Sequence, residues 1–217
     1  MITKPYNPNI QVQDGCFVCD RDRYMLIHIY KNASISLRNT LGMWTYKNYT
    51  HLEPDNYIKI CVLRNPLYRC ISIYQYILRL ENGESPYHPA ELIKQTEFYK
   101  IRNKPIESFN SFLRAIDGGN FFDAVAQPQI KFLRDKSLPI SKVSNFLIQE
   151  NIDNDFKKFC FEHQIENVQI THDNRSDDKV KETLTKYVDI DPIARDKILD
   201  IYSEDKDLYE TIAKVKI

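Results

Sequence analysis

Glycine is scarce in this chain, with five among 217 residues. The usual nucleotide loop sets glycines ahead of a Lys and a Ser or Thr at a helix start, so that bare backbone amides can cradle phosphates. No such run exists here, which disfavours an ordinary P-loop kinase or ATPase. Cysteine is also sparse and odd in number: Cys16, Cys19, Cys61, Cys70 and Cys160. That is not a disulfide framework, and free thiols are the simpler reading. Cys16 and Cys19 have half the spacing of a zinc site, but no matching second pair follows, so no metal is expected. The two read instead as small core-facing residues near a first strand. Apolar runs are short; the longest, Tyr24 to Tyr30 and Ile60 to Leu63, are strand-sized, far from the ~20 residues of a membrane span. The first fifteen residues hold Lys4, Pro5 and Pro8 but no apolar stretch followed by small residues, so no secretory leader is read and a cytoplasmic protein is expected. Net charge is missing too: thirty basic residues cancel thirty acidic ones. No global field draws the protein to nucleic acid or an anionic membrane, and any anion site must be local.

What is present is a strand, turn and helix, twice. Tyr24 to Ile29 is short, apolar and rich in β-branched and aromatic residues, and the following Lys31 to Trp44 carries Ile35, Leu37, Leu41 and Trp44 at helical spacing. Tyr57 to Leu63 reads as a buried strand, Arg64-Asn65-Pro66 as a turn, and Leu67 to Leu80 as a helix opened by Pro66. Two such units imply a parallel sheet covered by helices.

Residues 81–105 look irregular, with at most one short helix between Pro89 and Arg102. A helix is expected from Pro105 to Ile116, ended by Gly118-Gly119, then a strand over Val143 to Ile148 and a helix over Asp153 to His163. The charged C-terminal region has helical spacing over Val180 to Val188 and Pro192 to Ala213, and a solvated helix pair is expected there. No repeat or linker marks a second domain. The expected fold class is α/β: one domain over residues 1–217 with a P-loop-like central parallel β-sheet flanked by helices.

Chemistry concentrates at the two strand ends. Lys31-Asn32-Ala33-Ser34-Ile35-Ser36 turns from strand to helix, aiming backbone N–H groups, two hydroxyls and an ammonium at one place. Arg64 stands at the end of the second strand, and Ser72 about two turns into its helix. Two anion cradles at the carboxyl ends of two parallel strands suit a ligand with two separated phosphates, since open α/β sheets bind ligands along that edge. Arg69 reads as structural.

The segment His28-Ile29-Tyr30-Lys31-Asn32-Ala33-Ser34-Ile35-Ser36-Leu37-Arg38 resembles the 5′-phosphosulfate loop of the sulfotransferase families, in particular the membrane-bound carbohydrate sulfotransferases and their soluble bacterial relatives. Leu63-Arg64-Asn65-Pro66 through Arg69 and Ser72 to Tyr74 resembles their 3′-phosphate motif. Fainter echoes follow in order: Gln127-Pro128-Gln129 through Leu133, Val143 through Asn151 to Asp155-Phe156, His172 to Ser176, and Ile201-Tyr202 to Asp207-Leu208-Tyr209.

The resemblance implies a sulfotransferase fold and transfer of a sulfuryl group from 3′-phosphoadenylyl sulfate to a hydroxyl, with a carbohydrate as acceptor and no metal. It implies that Lys31 contacts the transferring sulfuryl group and the bridging oxygen. Ser34 and Ser36, with the amides of Asn32, Ala33 and Ile35 nearby, hold the 5′ phosphate; Arg64 and Ser72 hold the 3′ phosphate, and Arg175 and Ser176 approach the nucleotide. Ile35 departs from the pattern, because relatives often carry a hydroxyl residue there. His51, between the two cradles, is the first candidate for general base; His88, His172, Glu53, Asp123 and Glu150 are alternatives. Two rival readings stay open. One is a P-loop-like kinase, which predicts a glycine-rich loop and acidic metal residues; the other is a non-catalytic module that binds a nucleotide or glycan.

Overall fold

Strands buried on both faces must be apolar at nearly every position, and the two strands at the centre of the sheet obey this. In a computed structural model, which describes residues 15–48, 54–81, 109, 112, 125–133, 140–166, 168–171 and 192–215, β2 (Tyr24–Ile27) is buried throughout and β4 (Ile58–Leu63) is buried at all but its first residue. They pair in parallel, Ile27 opposite Cys61, and β4 pairs in parallel with β5 (Asn145–Ile148), Leu63 opposite Ile148. β4 and β5 end level and β2 ends two residues short of them, so the turns after all three open on one edge.

The parallel expectation holds for these three strands and fails at the other side. There β1 (Gly15–Cys19) runs antiparallel to β2 and to β3 (Thr45–Asn48), giving a five-stranded mixed sheet of order β3-β1-β2-β4-β5. Cys16 packs on one face of this sheet and Cys19 on the other, as three-residue spacing in a strand requires. They cannot converge on one metal. All five cysteines are free, and burial pushes the thiols of Cys16 and Cys70 up to about 12, leaving them without thiolate character.

Helices α1 (Ser34–Thr40) and α4 (Ile152–Glu162) cover one face, packing Leu37, Phe156 and Phe159 on Phe17, Leu26, Ile60 and Val62. On the other face, α3 (Gln129–Leu133) and α6 (Ser203–Val215) place Phe132, Leu133, Leu208 and Ile212 on Met25, Ile27, Cys61 and Leu63. A separate cluster joins α2 (Pro66–Glu81) to α5 (Pro192–Ile201) through Ile73, Tyr74, Ile77, Ile198 and Tyr202, with Phe109 and Phe112 against Tyr74. Each such large side chain contributes about 1.5–3 kcal/mol on burial.

The C-terminal segment corrects the sequence reading. It is two helices broken at Tyr202, and it is packed rather than solvated: Ile198, Tyr202 and even Asp205 are almost fully buried. The helices expected over 89–102 and 180–188, and most of the one expected over 105–116, lie outside the described residues. Among the described residues, no helix is long and apolar enough to cross a membrane.

Candidate functional site

The β2–α1 turn is built from strained backbone. Lys31 (φ 66°) and Ala33 (φ 55°) both adopt the left-handed conformation, which costs a non-glycine residue about 1–2 kcal/mol. Between them Asn32 is fully buried and donates through Nδ2 to the Val62 carbonyl at 2.8 Å, tying the turn to β4. The chain then enters α1, where Leu37 N–H bonds back to the Ala33 carbonyl at 3.1 Å. The amides of Ser34, Ile35 and Ser36 precede that bond and belong to the turn of a helix that lacks internal acceptors.

Ser34 contributes differently from its spacing. Its hydroxyl donates to the Ile29 carbonyl at 3.1 Å and so accepts from His28 Nδ1, 2.8 Å away. The hydroxyl is committed to the protein, and Ser34 offers its backbone N–H. His28 is held neutral: burial, with the nearby Arg38 charge, lowers its pKa to about 4.

The β4–α2 turn faces the first. Asn65 Oδ1 accepts from Leu67 N–H at 3.0 Å and Tyr68 N–H at 3.4 Å, capping α2 ahead of Pro66 at its first position. Arg64 Nη1 donates to the Lys31 carbonyl at 3.0 Å, while its Nε is buried and has no partner. Asn32 Oδ1 is likewise buried and unpartnered. Burial lowers the Arg64 pKa to about 10, with Glu150 opposing the shift and Arg69 adding to it. Glu150, at the end of β5, accepts from Asn65 N–H at 3.1 Å and from the Tyr209 hydroxyl at 3.2 Å. Arg69 is structural, as its sequence position suggested. It is fully buried and spends its guanidinium on the Tyr30 carbonyl at 3.1 Å and the Val125 carbonyl at 3.0 Å.

Lys31 Nζ sits 4.7 Å from the centroid of the Tyr76 ring, a cation–π contact. Ser72 lies one turn before Tyr76 on α2 and Arg79 one turn after it, on the same helix face. Burial, then the charges of Arg64 and Arg79, lower the Lys31 pKa to about 8. Three cations thus meet at this edge, and among the described residues no carboxylate forms an ion pair with any of them. Two half-buried cations whose pKa values burial lowers, with the exposed Arg79 adding positive charge nearby, suit an anionic ligand.

Lys31, Asn32, Ala33, Ser34, Ile35, Ser36 and Arg64 lie in or directly after the two turns at one edge of the sheet, and Ser72 lies within α2, one turn before Tyr76. His51, Arg175 and Ser176 lie outside the described residues, as do His88, His172, Glu53 and Asp123. The segment that leads toward Arg175 is secured on α1: Thr171 N–H bonds Thr40 Oγ1 at 2.9 Å, and its hydroxyl donates to the Ser36 carbonyl at 3.4 Å. Tyr76 and Arg79 were missed from sequence, although their i+4 and i+7 spacing from Ser72 was available.

Fold and site together define an α/β protein that sets Lys31 and Arg64 in the turns after two adjacent parallel strands. The chain belongs to the sulfotransferase family, whose sequence model matches residues 14–210, and membership makes it a transferase of sulfuryl groups. No curated protein and no solved structure gives a significant match.

Proposed function

We propose that this protein transfers the sulfuryl group of 3′-phosphoadenylyl sulfate to a hydroxyl, and that the hydroxyl belongs to a carbohydrate. The observation that carries the donor assignment is the pairing of Lys31 and Arg64 at two adjacent strand ends, with Arg79 of α2 adding its charge to Lys31 and no carboxylate ion-paired to them among the described residues. The unpartnered, buried Nε of Arg64 fits an anionic oxygen in the same way, as a donor whose desolvation is otherwise uncompensated.

In this reading the amides of Ser34, Ile35 and Ser36 and the Lys31 ammonium bind the 5′ end of the donor; Arg64 and Ser72 bind the 3′ phosphate, and Arg175 and Ser176 lie along the nucleotide. When bound, the donor supplies an activated sulfuryl group on a phosphate leaving group. With a pKa of about 8, Lys31 is mostly protonated at neutral pH and can neutralise charge developing on the leaving oxygen, the main requirement of such transfers. The imidazole of His51 takes the acceptor proton. No metal is required, because the positive charge comes from side chains.

The test is transfer of radiolabelled sulfate from the donor to a panel of neutral glycans, acidic glycans and phenols. Label on a glycan hydroxyl supports the reading. Label on phenols alone contradicts the carbohydrate assignment, and donor binding without transfer to any acceptor favours the non-catalytic module.

A further inference from the structure

Gln129 was noted in the sequence only as part of a faint Pro-Gln echo, yet among the described residues it is the side chain that hydrogen-bonds both turns through three bonds. Its side chain is fully buried. Oε1 accepts from the Arg64 N–H at 3.0 Å and from Asn32 Nδ2 at 2.5 Å, and Nε2 donates to the Arg64 carbonyl at 2.9 Å. One amide therefore grips the backbone of the second turn on both its donor and its acceptor, and the central side chain of the first.

We propose that Gln129 is a positioning residue that couples the two turns, so that the site responds to the separation of two anionic groups and not to each alone. The inference rests on the reading of these turns as the donor site. Gln129 is itself fixed from the far side of the molecule. Its backbone N–H donates to Asp205 Oδ2 at 2.7 Å and that of Ile130 to Asp205 Oδ1 at 2.8 Å, both from α6. Tyr202, between α5 and α6, donates to the Ala126 carbonyl at 2.8 Å, and Arg69 links the Val125 carbonyl to that of Tyr30, next to Lys31. Residues 125–130 are thus bracketed by buried side chains on one side and bracket the two turns on the other. A shift of either turn breaks bonds to an amide that has no water to replace them. Coupling of this kind makes an anion bound at one turn favour the geometry that binds the second.

The test uses the whole chain carrying Gln129→Met, which removes all three side-chain bonds at similar volume. Calorimetric affinities are measured for adenosine 3′,5′-bisphosphate and for adenosine 5′- and 3′-monophosphate, beside amide hydrogen exchange. The bisphosphate is expected to weaken about tenfold or more and each monophosphate less than about threefold, with amides of 31–36 and 64–69 exchanging faster together. Equal weakening of all three nucleotides, or an unchanged bisphosphate affinity, in protein whose α4 exchange matches wild type overturns the coupling. If the Met variant does not fold, Gln129→Glu decides: it keeps the acceptor bonds and loses the donation to the Arg64 carbonyl. Faster exchange in both turns supports the coupling, and faster exchange confined to the Arg64 turn overturns it. Wild-type protein that binds no bisphosphate sinks the donor reading alone, since the exchange measurements still decide the coupling.

Discussion

The guanidinium of Arg64 donates through Nη1 to the carbonyl of Lys31 at 3.0 Å, so the residue that opens the second turn also holds the backbone of the first. A lysine at position 64 would keep the charge but lose the planar fork that serves a backbone carbonyl and an anion at once. Arg64→Lys is expected to weaken adenosine 3′,5′-bisphosphate binding by about 10- to 100-fold while the far-ultraviolet dichroism stays unchanged. Wild-type affinity in this variant removes Arg64 from the site.

Lys31 links stability to activity in opposite directions. Burial, then Arg64 and Arg79, hold its pKa at about 8 against 10.5 in the unfolded chain. The unfolded state binds the proton more tightly, so this group lowers stability below pH 8, and the penalty disappears as pH rises from 8 to 10.5. Lys31→Met should therefore raise stability at pH 7 by about 1–2 kcal/mol and abolish transfer. Urea denaturation at pH 7 and pH 10 reads the difference; a variant less stable than wild type at pH 7 contradicts the account.

His28 should dominate one acid transition. Its folded pKa, about 4, lies below the ordinary 6.5 because burial and Arg38 disfavour the charged ring. The unfolded chain takes up its proton first, so stability present above pH 6.5 is lost as pH falls toward 4. His28→Gln should flatten stability against pH in that window, and an unchanged slope would show that other groups cause it.

Arg69 and Ser72 sit three residues apart on α2 and separate structure from binding. Arg69→Met strands the Tyr30 and Val125 carbonyls and should cost about 2–3 kcal/mol of folding stability. Ser72→Ala, at a half-buried helix position, should change stability by less than about 0.5 kcal/mol and weaken the bisphosphate about tenfold. Equilibrium unfolding and calorimetry on both variants check the division.

The strand-turn-helix units were legible because parallel strands buried on both faces leave uninterrupted apolar runs, as Met25 to Ile27 and Ile60 to Leu63 do. Lys31 and Arg64 followed from their places at the ends of those runs. The antiparallel β1–β3 edge was not legible: Thr45–Asn48 is a four-residue polar strand with little pattern to find. Ser34 shows a different limit, since spacing brought its hydroxyl to the turn without revealing that Ile29 and His28 already engage it. Asp205 looked like part of a solvated charged helix, yet it is buried as the acceptor for two backbone amides. Gln129 acts on Arg64 across 65 residues of sequence, and no local period records such a bond.

Calorimetric titration of the purified protein with adenosine 3′,5′-bisphosphate, against ATP with magnesium as control, tests the central claim most directly. The account predicts tight binding of the bisphosphate that weakens in Arg64→Ala and weak or no binding of ATP. No bisphosphate binding together with clear ATP binding would contradict it and favour the kinase.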